Sequence, residues 1–246
     1  MAEHTSIEPE QLLLIDLETV PQHASFTSLP DAWKGLWADR VSKTMPENSD
    51  PAEMYEQRAG IHAEFGRIIC ISTGFFYTDA GGRRCFRLRS CNHPDEKTLL
   101  ADFIGQADAF RKKNPRFSFA GHNIREFDIP FICRRLLINQ LPLPDFLDFS
   151  GKKPWEVNLV DTLQRWKFGD HKNYSSLQLL AHALGIETPK ADMDGSMVKD
   201  VYYKEKDLER ITAYCERDVV AVAQVLLRFL HLPLMPAANI FVAPKS

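Results

Sequence analysis

Apolar residues fall in two rhythms along this chain, and the switches between them lay out its elements. Leu12 to Ile15 is a continuous apolar run that predicts a central strand. Arg67 to Phe76 predicts a second, longer strand. Ala80-Gly81-Gly82 is a turn signal, and the alternation from Arg84 to Arg89 predicts the returning arm of a hairpin. From Asp95 the period changes: Leu99, Leu100, Phe103, Ile104, Ala107 and Phe110 share a helical face, and Asn114-Pro115 ends that helix at Lys113. Phe117 to Ala120 predicts a short strand leading into a helix from about Phe127 to Asn139, with Pro130 in a first turn whose amides need no intrahelical acceptor. Val157 to Val160 predicts the last strand. Ser175 and Gln178 fit a capping box for a helix that reaches Leu184 and stops at Gly185. The final long helix runs from about Lys206 to Leu230, and Pro233 and Pro236 close it off.

This order predicts an α/β fold, a mixed central sheet of about five strands flanked by helices. A chain of 246 residues fits a single domain, with a core over about 12–230, an irregular insertion at 21–64 and a loose tail at 231–246. Pro21, Pro30, Pro46 and Pro51 punctuate the insertion, leaving room for a helical turn or two. The net charge of −3 supplies no overall attraction to polyanions, so nucleic-acid binding would depend on bound metal or on local basic groups. Arg83, Arg84, Arg87 and Arg89 form one such group, Arg111, Lys112, Lys113 and Arg116 a second, and Arg165, Lys167 and Lys172 a third. Each reads equally well as a solvated face. The cysteines show no C-x-x-C pair and no zinc-like spacing with histidine, which points to a reducing, cytoplasmic setting. No secretory leader opens the chain and no apolar run approaches the ~18 residues that span a bilayer, so neither secretion nor a membrane partner is expected.

The chemistry lies in three separated segments. Asp16 and Glu18 follow the first apolar run, and the i, i+2 spacing puts both carboxylates on one face of a strand. Asp128 closes Gly121-His122-Asn123-Ile124-Arg125-Glu126-Phe127-Asp128, just past a short strand. Active sites of open α/β sheets gather at that edge, although Asn123 or Asp128 would also serve as a helix cap. Tyr214 and Asp218 are one turn apart on the last helix and share its face. Clustered acids raise one another's pKa unless cations neutralise them, and oxygen donors favour magnesium or manganese over zinc or copper. Asp161, in Leu159-Val160-Asp161-Thr162, either supports the cluster or caps a helix.

Asp16-x-Glu18, Asn123-x3-Phe127-Asp128 and Tyr214-x3-Asp218 together resemble the three exonuclease motifs of the DEDD superfamily, in its tyrosine-bearing branch. That superfamily has an RNase H-like fold and includes the proofreading domains of DNA polymerases. Within it the chain looks most like a bacterial group related to the exonuclease domain of family B polymerases. His62-Ala63-Glu64-Phe65-Gly66-Arg67-Ile68, Ser175-Ser176-Leu177-Gln178-Leu179-Leu180 and Pro189-Lys190-Ala191-Asp192-Met193-Asp194-Gly195-Ser196 carry that likeness, which covers about Leu12 to Phe229.

The resemblance implies a 3′-5′ exonuclease that releases nucleoside 5′-monophosphates with two divalent cations, Mg2+ or Mn2+. It implies that Asp16 bridges the cations, that Glu18 and Asp218 complete one site, and that Asp128 helps hold the other. Tyr214 would orient the attacking water, and Leu17, Thr19, Asn123 and Phe127 would contact the substrate. His62, His122 and His171 stay outside the catalytic set, because the tyrosine takes the place where sister families carry a histidine. DNA, single-stranded, is favoured over RNA, and a separate polymerase or repair protein is a candidate partner. The rivals are an exoribonuclease, a silent nucleic-acid-binding module, and an RNase H-like endonuclease or junction resolvase. The Tyr214-x3-Asp218 pair favours end-cutting over the last. Trp33, Trp37 and Tyr55 of the insertion either stack on bases or anchor the insertion to its domain.

Overall fold

Strand β1 (Leu12–Pro21) is the spine of the molecule, and its two faces explain the layers around it. The computed structural model describes residues 7–153, 156–170, 172, 174–187 and 192–243. Leu13, Ile15 and Leu17 point to one side, into a core shared with helices α3 (Glu96–Lys113) and α4 (Asp128–Ile138). Leu12 and Leu14 point to the other, against Val219, Val222 and Leu226 of helix α8 (Leu208–Phe229). Each such side chain contributes roughly 1.5–3 kcal/mol by leaving water. Past Leu14 this second face stops being apolar, and its next residues are Asp16 and Glu18.

Among the described residues the sheet has six strands, in the order β5 (Leu159–Asp161), β4 (Ser118–Gly121), β1, β2 (Gly66–Thr78), β3 (Arg84–Cys91) and β6 (Ile240–Val242). Strand β2 runs antiparallel to β1 and to β3, while β4 and β5 extend the other edge in parallel. The sheet thus has one strand more than expected. Ile240–Val242 of the predicted loose tail forms β6, parallel to β3, because β3 offers an open edge and the segment is β-branched and aromatic.

The stretch at 21–64 is also more regular than expected. It holds helices α1 (Asp31–Thr44) and α2 (Pro51–Arg58), packed around Leu29, Trp37, Val41, Tyr55, Ala59 and Phe65. The Trp37 indole donates to the Pro51 carbonyl at 2.7 Å, and both Trp37 and Tyr55 are buried, so these rings anchor the segment. Trp33 is partly exposed.

Short helices α5 (Thr162–Lys167), α6 (Leu177–Ala183) and α7 (Val198–Asp200) complete the layers, and α7 runs on into a π-helical stretch, Val201–Glu205. The N-cap of α6 is Ser176, whose hydroxyl accepts from the Leu179 amide, rather than Ser175. A buried ion pair locks α4 to α3: Arg135 donates to both oxygens of Glu96, which also accepts from the Ile68 amide of β2. Among the described residues no helix is long and apolar enough to cross a membrane.

Candidate active site

The acids meet where β1 outruns β4. The β1–β4 pairing ends at Leu14 and Ala120, leaving the rest of β1 with a free edge. The chain turns away at Gly121, where a Cβ would stand 2.1 Å from an Ile124 methyl and 2.8 Å from the Ile15 carbonyl, so only glycine fits. Asn123 then takes a left-handed conformation (φ 63°), which asparagine tolerates better than most residues. This turn sends α4 in from the side, with Asp128 as its first residue and buried. The Leu17 amide on the free edge of β1 donates to the Asp128 carboxylate.

Asp16 and Glu18 lie on the β1 face turned to α8, and the β1–β2 register shifts directly after Glu18. Such bulges re-aim side chains and are frequent beside active sites. Helix α8 crosses above. Asp207 caps its start by accepting from the Arg210 amide at 2.9 Å, and its apolar stripe gives way to Tyr214 and Asp218 on the turns that cover the acids. The Tyr214 hydroxyl donates to the Asp218 carboxylate.

Electrostatically the four carboxylates behave as one group. Burial, followed by the charges of Glu18, Asp218 and Asp128, pushes Asp16 well above the usual carboxylate range. Burial and the charge of Asp218 do the same to Glu18. Burial takes Asp128 up to about 8 against the pull of its own amide and that of Leu17. Burial takes Asp218 up to about 6, with the Tyr214 hydroxyl and Arg217 opposing. Burial and the three nearest carboxylates push the Tyr214 phenol well above its ordinary value, so it remains a proton donor. Among the described residues no lysine or arginine forms an ion pair with Asp16, Glu18, Asp128 or Asp218. Crowded carboxylate oxygens with no ion-paired lysine or arginine among the described residues fit hard divalent cations.

The four predicted ligands and Tyr214 are therefore brought together, but the predicted substrate contacts are not all alike. Leu17 turns its side chain into the core beside Ile129 and Phe131. Thr19 is half-buried one residue past Glu18. Phe127 is half-buried against Phe131, with ring centres 5.4 Å apart. Asn123 keeps its side-chain oxygen buried with no hydrogen-bond partner. His122 is held between the Thr162 hydroxyl and the Ser175 carbonyl, each at 2.9 Å, and His62 accepts from Arg40 at 2.9 Å. His171 and the segment Pro189 to Ala191 lie outside the described residues.

Asp161 does both things that the sequence leaves open. Its carboxylate caps α5 through the Leu163 and Gln164 amides and also holds the Asn123 and Arg125 amides, fixing the loop that delivers Asp128. Two neighbours of the acids carry no sequence signal. Cys215 donates its thiol to the Asp16 carboxylate at 3.3 Å, and Asp16, Glu18 and Cys215 each offer an atom within 4.8 Å of the others. Tyr174, exposed beside His122, feels the charges of Asp128 and Asp161. The basic groups mostly pair with acids: Arg83 with Asp79, Arg84 with Glu10, Arg111 and Lys112 with Asp108, Arg116 with Glu8, and Lys167 with Glu126.

A family described as a predicted 3′-5′ exonuclease related to the exonuclease domain of PolB matches residues 61–235, a span that includes Asp128, Tyr214 and Asp218 and starts after Asp16 and Glu18. No curated protein matches the chain. The family B DNA polymerase from the hyperthermophilic archaeon Pyrobaculum calidifontis is similar in structure, with a TM-score of 0.51 and 14% identity over 89% of this chain. The chain spans 25% of the length of that polymerase. The shared architecture is the RNase H-like sheet with helices on both faces.

Proposed function

The chain belongs to the family of predicted 3′-5′ exonucleases related to the exonuclease domain of PolB, and from that premise we propose that it removes nucleotides from the 3′ end of single-stranded DNA at the Asp16–Glu18–Asp128–Asp218 cluster. The observation that carries this reading is the convergence of four carboxylates, each pushed above its usual range, with no ion-paired lysine or arginine among the described residues. Asp16, Glu18 and Asp218 would hold one divalent cation, Mg2+ or Mn2+, and Asp16 and Asp128 a second. Bound there, the pair would supply an activated water and stabilise the departing 3′ oxygen.

The chain's own groups do the positioning. Asp128 is fixed by the Leu17 amide and, through the Asn123 loop, by Asp161. Tyr214, kept protonated by its surroundings, gives its O–H to Asp218 and orients the attacking water by accepting from it, instead of acting as a base. Thr19, Asn123 and Phe127, half-buried around the acids, contact the terminal nucleotides. Leu17 contributes at the same place through its backbone. The whole of about 12–230 works as one exonuclease domain, alone or beside a separate polymerase or repair protein.

The test is digestion of 5′-labelled and 3′-labelled oligonucleotides, as DNA and as RNA, with Mg2+, Mn2+ or EDTA. A metal-dependent ladder that shortens from the 3′ end, faster on DNA, is expected. Faster loss of RNA would make the protein an exoribonuclease. Binding without any cleavage would make it a silent module.

A further inference from the structure

Beyond the acids, at the end of β1, the chain forms a cleft of about 300 Å³ lined by Gln22, Arg67, Tyr202, Tyr203, Lys206 and Leu208. Three features set it apart from ordinary surface. Its cations are free of carboxylates: among the described residues neither Arg67 nor Lys206 is in an ion pair, while neighbouring Glu205 is taken up by Arg210 at 2.7 Å. Arg67 gives one N–H to the Pro94 carbonyl at 2.6 Å and keeps its Nε buried with no partner.

Its wall is aromatic. Tyr202 and Tyr203 stand edge to face with ring centres 5.0 Å apart, and the Lys206 ammonium lies 5.7 Å from the Tyr203 ring centre. Its backbone is unusual as well. The wall is the π-helical stretch Val201–Glu205, closed by Lys206 in a left-handed conformation (φ 60°), and the Tyr203 hydroxyl ties it to the Pro21 carbonyl at 2.6 Å. Single π-turns are rare and gather at functional sites.

We propose that this cleft binds a nucleotide unit, its phosphate on Arg67 and Lys206 and its base against the tyrosines. Guanidinium and ammonium groups suit phosphate oxygens, and aromatic faces stack any base. The volume lies at the lower end of the ~300–1,000 Å³ typical of small-ligand sites. Gln22 stands four residues past Glu18, about 13 Å along an extended chain. A strand with its 3′ end on the carboxylates therefore reaches the cleft within a few nucleotides. The proposal rests on the exonuclease reading and deepens it, since the cleft would hold the strand that the acids cut.

The test is fluorescence anisotropy of a short 5′-labelled oligothymidylate in EDTA, with thymidine 5′-monophosphate as competitor, on the wild-type protein and on Lys206→Gln and Tyr202→Leu. Each substitution is expected to weaken strand binding about tenfold. Lys206→Gln should also lower the slope of log affinity against log salt by about 0.7. Lys206 is exposed, so its variant stays informative even where Tyr202→Leu fails to fold. Displacement of the strand by the monophosphate from wild-type protein, weakened in the variants, marks a cleft that also takes a free nucleotide. Lack of displacement, with the variants still weakened, marks a unit bound only within a strand. Unchanged strand affinity in Lys206→Gln, or no strand binding by the wild-type protein, overturns the proposal. Metal-dependent digestion, scored separately, reads the acids: digestion with unchanged affinity in the variants defeats the cleft alone. Lys206-dependent binding without digestion keeps the cleft and defeats the exonuclease.

Discussion

Replacing Asp161 by alanine removes an acceptor that four backbone amides share. Asn123 and Arg125 donate to it at 3.0 Å each, Leu163 at 2.9 Å and Gln164 at 3.3 Å, around a carboxylate that is only 3% exposed. The two α5 amides lose an N-cap, worth about 1 kcal/mol. The other two lose their acceptor on a half-buried loop, at about 1–2 kcal/mol each. The whole loss is about 3–5 kcal/mol, and at ~2–4 °C per kcal/mol for a chain of this size the melting temperature should fall by roughly 10 °C. Asp161→Asn keeps the oxygen that serves Asn123, Leu163 and Gln164 but turns an NH2 toward the Arg125 amide, so about a third of that loss is expected. Calorimetry in EDTA reads the stability of both variants. Strand cleavage with Mn2+, below both transitions, reads the placement of Asp128 and should fall even in Asp161→Asn. An alanine variant that melts within about 2 °C of the wild-type protein would refute the reasoning, because the four amides would then be finding water instead.

Tyr214→Phe keeps the ring and loses the hydroxyl, so turnover should drop about 100-fold at an unchanged metal requirement. A rise in the Mn2+ concentration needed for half-maximal rate would instead make Tyr214 a structural partner of Asp218. Asp128 and Asp218 stand at about 8 and about 6 in the folded state against an ordinary 3.8. Above that ordinary value the folded, metal-free protein holds more protons than the unfolded chain, so its stability should fall as pH rises through about 6 and about 8. Adding Mn2+ should restore the loss at high pH, and a metal-free melting temperature that is flat or rising across this window contradicts the electrostatics. Glu96→Ala strands the buried Arg135 guanidinium and should cost about 3–5 kcal/mol in denaturant unfolding. The double replacement of Glu96 and Arg135 by methionine should recover most of that, and an equally unstable double variant would show that packing, not stranded charge, sets the loss.

What the sequence discloses depends on how local the cause is. The period-2 argument for Asp16 and Glu18 needs only neighbouring residues, and it holds although β1 continues well beyond the apolar run that announces it. Its continuation to Pro21 comes from pairing with β2, which no local pattern reports. The i, i+4 spacing of Tyr214 and Asp218 is legible for the same reason as the long helix that carries it. Helix α1 buries only Trp37 and Val41, too sparse a stripe to declare fourteen helical residues, so 21–64 reads as irregular until its own small core is seen. Strand β6 exists because β3 leaves an edge open, a tertiary cause. Cys215 and Tyr174 join the acids only through the packing of α8 and the approach of the loop before α6. The double duty of Asp161 likewise requires a loop about forty residues away in sequence, as its contact with Asn123 spans 38 positions.

The central claim is that the carboxylates gathered under α8 perform metal-dependent hydrolysis at a 3′ end. It is tested most directly by incubating a 5′-labelled single-stranded DNA with Mn2+ and either the wild-type protein or Asp16→Asn, at matched concentration and with folding verified by calorimetry. The account predicts a ladder that shortens from the 3′ end with the wild-type protein and an intact strand with the folded variant. A variant that shortens the strand at the wild-type rate would contradict it, because the acid that joins both proposed cation sites would then be dispensable.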